Sequence, residues 1–243
     1  FLADDPAFAA AAATSGARIW DVRATPPPRL FTGEAYRANA RVVLTVGSDC
    51  AVGKMTASLE LTRAARERGV RARFVATGQT GIAIAGSGTA IDRVISDFAS
   101  GAAEELVLAN ASDADVLFVE GQGGINHPAF APVTLALLYG STPDALVLVH
   151  LATRTHVEDF GTPLLSLAAL VETYEGLCAT VKPAKVAGIA LNTYGLSAED
   201  ARTAVARASA ETGLPCADVV RDGPHALYDA MAPSFARKTE PLR

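Results

Sequence analysis

Between Gly47 and Thr56 the chain reads Gly-Ser-Asp-Cys-Ala-Val-Gly-Lys-Met-Thr, a run of small residues closed by Gly53 and Lys54. Small side chains leave main-chain N–H groups uncovered, and a lysine adds a full positive charge. Such a spacing suits an anion, above all a phosphate. An apolar, β-branched run (42–46) stands just before it and a helical pattern just after it, the strand–loop–helix order of a phosphate-binding loop. The expected cofactor-binding residues are therefore Gly47, Ser48, Asp49, Cys50, Ala51, Val52, Gly53, Lys54, Met55 and Thr56. Four lysines occur against seventeen arginines, and Lys54 is the only lysine before Lys182. A compact ammonium fits a phosphate cradle better than a guanidinium fork.

The loop departs from the usual spacing in two ways. Five residues, rather than four, separate Gly47 from Gly53. Met55 stands where a serine or threonine hydroxyl would hold Mg²⁺, and Thr56 would reach that place only in a differently wound loop. Cys50, at a helix N-terminus, is expected to have a lowered pKa, and reads as either a loop-packing thiol or a transient acyl carrier.

A second constellation follows the run 116–120, which delivers Glu120 at a strand tip ahead of Gly121, Gln122, Gly123 and Gly124. A carboxylate there faces Mg²⁺ or a water in phosphate-binding folds. Glu120 and His127 are the expected catalytic residues, each placed to act as a general base. Thr77, Gln79, Thr80 and Gln122 offer hydroxyls and amides to a substrate. Arg154 and Arg221 follow the fourth and sixth strands, beside His156 and His225, where a guanidinium would clamp a carboxylate. Asn192 ends the fifth strand, where an amide can read the edge of an adenine. Asp92, Asp97 and Glu104 are expected to form a solvated helix face.

The elements that must carry these residues alternate. Strands are expected at 42–46, 72–76, 116–120, 145–150, 186–191 and 217–220. Helices are expected at 55–68, 90–105, 129–139, 163–174 and 198–212, with Gly69 and Gly213 at helix C-caps. Continuous Val/Ile/Leu strands between helices predict an α/β fold, a doubly wound, mostly parallel sheet covered on both faces. Ligands then gather at the carboxyl ends of the strands. Ahead of the sheet, a short helix (5–13) begins at Asp4 or Asp5 with Pro6 in its first turn, a strand is expected at 17–22, and three prolines stiffen 24–29. Residues 1–37 read as the remnant and linker of a preceding domain, and 38–243 as the α/β domain.

Of the 243 residues, 50% are apolar and 19% charged, and the net charge is −5. No basic stripe is present for nucleic acid, and no apolar run reaches the 18 or so residues of a membrane span. Cys50, Cys178 and Cys216 show no metal-type spacing and read as reduced thiols, which implies a cytoplasmic protein and no metal. The expected partner is a small molecule, bound by a homo-oligomer.

Four motifs in order resemble the D-glutamate N-acetyltransferase-like family: Gly47 to Thr56, Thr77-Gly-Gln-Thr-Gly81, Asp97-Phe-Ala-Ser-Gly-Ala-Ala-Glu104, and Glu120-Gly-Gln-Gly with His127-Pro128. The resemblance spans nearly the whole chain. It implies a Rossmann-like domain ahead of a P-loop domain, with Phe1 to Pro6 and Asp21-Val-Arg23 at the end of the first. It also implies acetyl transfer from acetyl-CoA to the amino group of D-glutamate, and makes Met55 part of the family's pattern. More distantly, Gly47-Ser-Asp49 with Val52-Gly-Lys54 and the loop from Glu120 to Gly124 are similar to dethiobiotin synthetase. That similarity implies Mg-ATP as the alternative cofactor and a ligase or kinase acting on a small carboxylate. A non-catalytic nucleotide-binding module is the third reading.

Overall fold

The computed structural model describes residues 1–235. Its chain order is α1 (Pro6–Ser15), β1 (Arg41–Gly47), α2 (Lys54–Glu67), β2 (Ala72–Val75), α3 (Gln79–Ala85), α4 (Ser96–Ala111), β3 (Val116–Val119), α5 (Ala131–Ser141), β4 (Ala145–Leu151), α6 (Leu167–Ala179), β5 (Lys185–Asn192), α7 (Ala198–Thr212), β6 (Cys216–Ala217) and α8 (His225–Phe235). The six strands form one sheet in the order β2-β3-β1-β4-β5-β6, and every pairing is parallel.

β1 is central because its side chains tolerate no water on either face: residues 42–47 are all buried. Val42, Leu44 and Val46 pack in the larger core with Leu106 of α4, Leu137 of α5 and Leu170 of α6. Val43 points the other way, into a second core with Leu61 of α2 and Leu227 and Met231 of α8. This two-sided burial is the reason the strands read as continuous apolar runs. The chain leaves β1 toward β2 and β3 on one side, then crosses to β4 on the other. The carboxyl ends of β1, β3 and β4 meet at this switch point, where open parallel sheets bind ligands.

The mostly parallel, doubly wound α/β fold is as expected, and several boundaries differ. Residues 17–22 form no strand, since no neighbouring strand offers them a ladder. The helix expected at 90–105 starts at Ser96: Ile91–Arg93 is a single 3₁₀ turn, and Val94 and Ile95 are extended before it. Gln79–Ala85 is helix rather than loop. α8 was hidden by its own prolines, since Pro224 precedes it and Pro233 lies within it. Glu104 is not on a solvated face. It is fully buried and accepts from the N–H of Thr32 (2.6 Å) and of Ala35 (3.1 Å), fastening the segment before β1 to α4. No helix among the described residues is long and apolar enough to cross a membrane.

Candidate functional site

After β1 the main chain makes a tight curl. Ala51 (φ 53°) and Gly53 (φ 110°) are both left-handed, two such residues within three positions. Alternating backbone hands of this kind turn successive N–H groups toward one side. Among the described residues, the N–H groups of residues 51–56 find no protein acceptor, and Gly53 gives no side-chain cap to α2. They add to the partial positive charge of a helix N-terminus. Lys54 opens α2 with 7% exposure, and its Nζ donates to the carbonyls of Asp49 (2.7 Å) and Gly123 (2.6 Å). Burial pushes its pKa down to about 8, opposed by Cys50, Asp49 and Glu120 nearby. Gly47 is required by the curl itself, because a Cβ there would stand 2.8 Å from the Asp49 carbonyl oxygen, and also 2.7 Å from Nζ.

Two side chains of the loop face away from the curl. Ser48 Oγ lies 2.8 Å from Nδ1 of His150. Asp49 is fully buried: Oδ1 accepts from the Cys50 N–H, while Oδ2 accepts from Arg154 Nη1 (2.9 Å) and the Glu158 N–H (2.7 Å). Arg154, expected to clamp a substrate carboxylate, therefore spends its fork on Asp49 and Glu158 and holds the loop.

Glu120 follows β3 and is 5% exposed. Its Oε2 accepts from the N–H groups of Thr77 (2.9 Å) and Gly78 (3.1 Å), while Oε1 has no hydrogen-bond partner among the described residues. Burial raises its pKa, against those two bonds and the Lys54 charge. A carboxyl so placed is a stronger base than an exposed glutamate. Thr77 Oγ1 donates to the Glu120 carbonyl (2.7 Å) and accepts from Gln122 Nε2 (3.1 Å), so the loops after β2 and β3 are laced together. Beneath them Gly121 touches β1 so closely that a Cβ would lie 1.8 Å from the Thr45 carbonyl oxygen. Gln79 and Thr80 are exposed on α3, and Gln79 accepts from Arg23.

The curl and the Glu120 loop line one cavity of about 410 Å³, with Cys50, Lys54, Met55, Thr56, Glu120 and Gln122 in its wall. A second cavity of about 480 Å³ adjoins it through Gly53 and Thr56 and is lined by Ala190, Leu191, Tyr194 and Val219. Together they make a cleft whose Lys54 end carries the charged side chains Lys54 and Glu120 and whose far end is more apolar. Asn192 and Arg221 border the apolar end but are already engaged. Asn192 Nδ2 donates to the Val52 carbonyl, and its Oδ1 accepts from the Tyr194 N–H. Arg221 donates to Thr193 and to the Leu196 carbonyl. Asn192 is thus a brace under the curl rather than a free reader of a base, and Arg221 is no free carboxylate clamp. His225 falls outside the site, because it pairs with Glu67 at the end of α2 farthest from Lys54.

His127 is 2% exposed. Its Nδ1 accepts from the Ala129 N–H (3.2 Å), and its ring packs on Phe130 (4.6 Å) and against the edge of Phe160 (5.2 Å). A ring nitrogen of His127, the Cys50 thiol and a carboxylate oxygen of Asp49 lie within 4.8 Å of one another, a set compact enough to ligate a metal ion. The Cys50 pKa is raised by burial, not lowered, because the thiol sits four residues ahead of the first helical residue.

Three supporting residues were not singled out from the sequence. Thr45 accepts from the Gly121 N–H (2.9 Å). Tyr174 is fully buried; its hydroxyl donates to the Gly47 carbonyl (2.6 Å) and accepts from the Ile125 N–H (3.1 Å). His150 holds Ser48. Thr45 was detectable as the one hydroxyl in an apolar run; Tyr174 carried no signal.

A family model described as a domain of unknown function (DUF1611_C), P-loop domain, matches residues 29–228. A protein of Pseudoalteromonas sp. named D-glutamate N-acetyltransferase is 44% identical over 207 residues, 84% of this chain and 62% of that protein. One of the same name from Tritonibacter scottomollicae is 38% identical over 235 residues, 95% of this chain and 69% of that one. The chain thus spans less than two thirds of the first relative's length. The crystal structure of a DUF1611 family protein from Anabaena variabilis superposes with a TM-score of 0.90 at 44% identity, covering 95% of this chain and 68% of that one. Cobyrinic acid a,c-diamide synthase from Mycobacterium smegmatis shares the fold, with a TM-score of 0.51 at 12% identity over 80% of this chain and 94% of that one.

Proposed function

This chain belongs to the DUF1611 P-loop family, and on that footing we propose that it moves an acetyl group from acetyl-CoA to the amino group of a small acidic amino acid such as D-glutamate. The name carried by two relatives supports the reaction class. The observation that carries the cofactor reading is the run of N–H groups at 51–56 without protein acceptors, closed by the buried Lys54. Coenzyme A brings a pyrophosphate and a 3′-phosphate, so a phosphate cradle can hold it without any phosphoryl transfer. That use needs no hydroxyl for Mg²⁺, in keeping with Met55. The apolar cavity beyond Gly53 suits the nucleoside end.

The acceptor amine must lose a proton before it attacks the thioester. Glu120 is the base this reading favours, through its unpartnered Oε1 and raised pKa, with His127 as the other candidate. The N–H groups of Gln122, Gly123 and Gly124 have no acceptor among the described residues and would serve the oxyanion of the tetrahedral intermediate.

Incubation of the protein with acetyl-CoA and D-glutamate, without ATP or Mg²⁺, tests the proposal. N-acetylglutamate and free CoA in equal amounts are expected. The alternative, a Mg-ATP-dependent ligase or kinase, rests on Glu120 standing beside the cradle where such enzymes hold Mg²⁺. ADP release that requires Mg²⁺ and a small carboxylate would establish it instead. Nucleotide binding with no turnover would leave a binding module.

A further inference from the structure

A third cavity, of about 430 Å³, opens near the carboxyl ends of β4 and β5, between the head of α6 and one face of α7. No residue of the curl or of the Glu120 loop lines it. α7 contributes Asp200, Ala204, Arg207, Ala208 and Glu211, a single stripe at helical spacing. The short side chains of Ala204 and Ala208 leave the space. Arg207 makes no hydrogen bond or ion pair among the described residues, although Glu211 stands one turn along the same helix. An arginine four residues ahead of a glutamate is the weaker order for such a pair. Glu211 accepts from the Ala168 N–H through Oε1 (3.2 Å), which fixes the carboxylate and leaves Oε2 spare. His150 Nδ1 is engaged with Ser48 Oγ, and Nε2 has no partner among the described residues. Burial lowers the His150 pKa, opposed by Glu211 and aided by Arg154, so the ring is a neutral polar group in the wall. The rest of the lining is largely aliphatic, with Leu164, Leu165, Leu167 and Leu191, of which Leu165 is 44% exposed.

We propose that this cavity binds a free α-amino acid with an aliphatic side chain, at a site separate from the cradle. Arg154 and Arg207 stand with Asp200 and Glu211 around the wall, so the formal charges cancel. Balanced charge provides no net field to draw in a phosphate or a dicarboxylate. It suits a molecule that carries both signs. Arg154 is held by Asp49 and Glu158, and Asp200 by Ser197 Oγ (2.7 Å). One cation and one anion are thus left for a ligand. The Arg207 fork takes the carboxylate, and Glu211 Oε2 takes the ammonium. The leucines take the side chain, whose removal from water stabilises the complex. His150 and Arg154 also fasten Ser48 and Asp49, so an occupant lies one contact away from the curl. The inference stands apart from the acetyl-CoA reading.

Calorimetric titration of the full chain with L-leucine, and with D-leucine in parallel, tests the site. One saturable site per chain is expected for at least one hand. N-acetyl-leucine lacks the ammonium, and leucinamide lacks the carboxylate. Each should bind roughly tenfold or more weakly than the better leucine enantiomer, the effect of one lost charge-assisted hydrogen bond. Glycine should bind roughly tenfold or more weakly as well, for want of an aliphatic side chain. Arg207→Ala should weaken leucine binding to a similar degree, and it should melt as wild type does because Arg207 is exposed. Glu211→Gln keeps an oxygen for the Ala168 N–H and should weaken leucine likewise. Neither substitution should move CoA binding by more than about twofold, since the cradle lies apart. Absence of saturable leucine binding by wild type would overturn the proposal. So would binding that both substitutions leave intact, or that N-acetyl-leucine and leucinamide match. Leucine bound as expected by a chain that does not bind CoA would sustain this site and count against the acetyl-CoA reading alone.

Discussion

Lys54 Nζ donates to the Gly123 carbonyl at 2.6 Å, so one ammonium joins the head of α2 to the loop that carries Glu120. The same ammonium is the full charge of the cradle, and its two tasks can be separated. Lys54→Met keeps the stem's volume and removes a costly buried charge. It also leaves the Asp49 and Gly123 carbonyls without their donor, which costs about 1–3 kcal/mol for each group that water cannot reach. Relief of the buried charge offsets part of that loss, and stability should fall by about 1–3 kcal/mol. Loss of a charge-assisted bond to phosphate should cost about 1.5–3 kcal/mol in CoA binding, roughly tenfold or more. Calorimetry and thermal melts on one preparation check both halves.

The Lys54 pKa of about 8, against an ordinary 10.5, makes the free protein pH-dependent in a definite direction. Between those values the unfolded chain keeps the lysine proton and the folded chain releases it. The unfolded state then binds more protons, so this group makes stability rise with pH across the window. CoA affinity runs the opposite way, because the phosphate needs the ammonium. It should fall as pH climbs past 8, by at most about tenfold per unit. Proton uptake on binding, read as a buffer-dependent heat, gives an independent check.

Glu120→Gln retains an oxygen for the Thr77 and Gly78 N–H groups and removes the base. Turnover should drop about 10²–10⁴-fold, with CoA affinity nearly unchanged. Because the Glu120 pKa is raised, the acid limb of the wild-type rate profile should lie above the ordinary glutamate value of 4.5. Full turnover in Glu120→Gln would remove Glu120 from the chemistry.

Glu104→Ala leaves the Thr32 and Ala35 N–H groups without their acceptor. A loss of about 2–4 kcal/mol is expected from such orphaned groups. The segment around Thr32 should become open to limited proteolysis sooner than the sheet. Denaturant titration together with a proteolysis time course measures the effect.

The sheet was legible because its strands are buried on both faces and read as unbroken Val/Ile/Leu runs. Lys54, Glu120 and Thr77 were legible because they stand at strand tips, flanked by glycines. What the sequence concealed was which polar groups are already taken. Arg154, Arg221 and Asn192 sit at strand ends as expected, yet each is consumed by a partner 25 or more residues away. Such pairings depend on tertiary contact, which no local pattern encodes. Tyr174 is hidden for the same reason, one helical tyrosine whose hydroxyl ties two distant loops. The closeness of Cys50 and His127 likewise emerges only from the fold.

The central claim is that the uncovered N–H groups of residues 51–56, with Lys54, hold the phosphates of coenzyme A. Calorimetric titration of wild type with CoA, in Mg²⁺ and again in EDTA, tests it most directly. The account predicts one site per chain with the same affinity in both, weakened at least tenfold by Lys54→Met. Binding that appears only with Mg²⁺, or that Lys54→Met leaves intact, would contradict it.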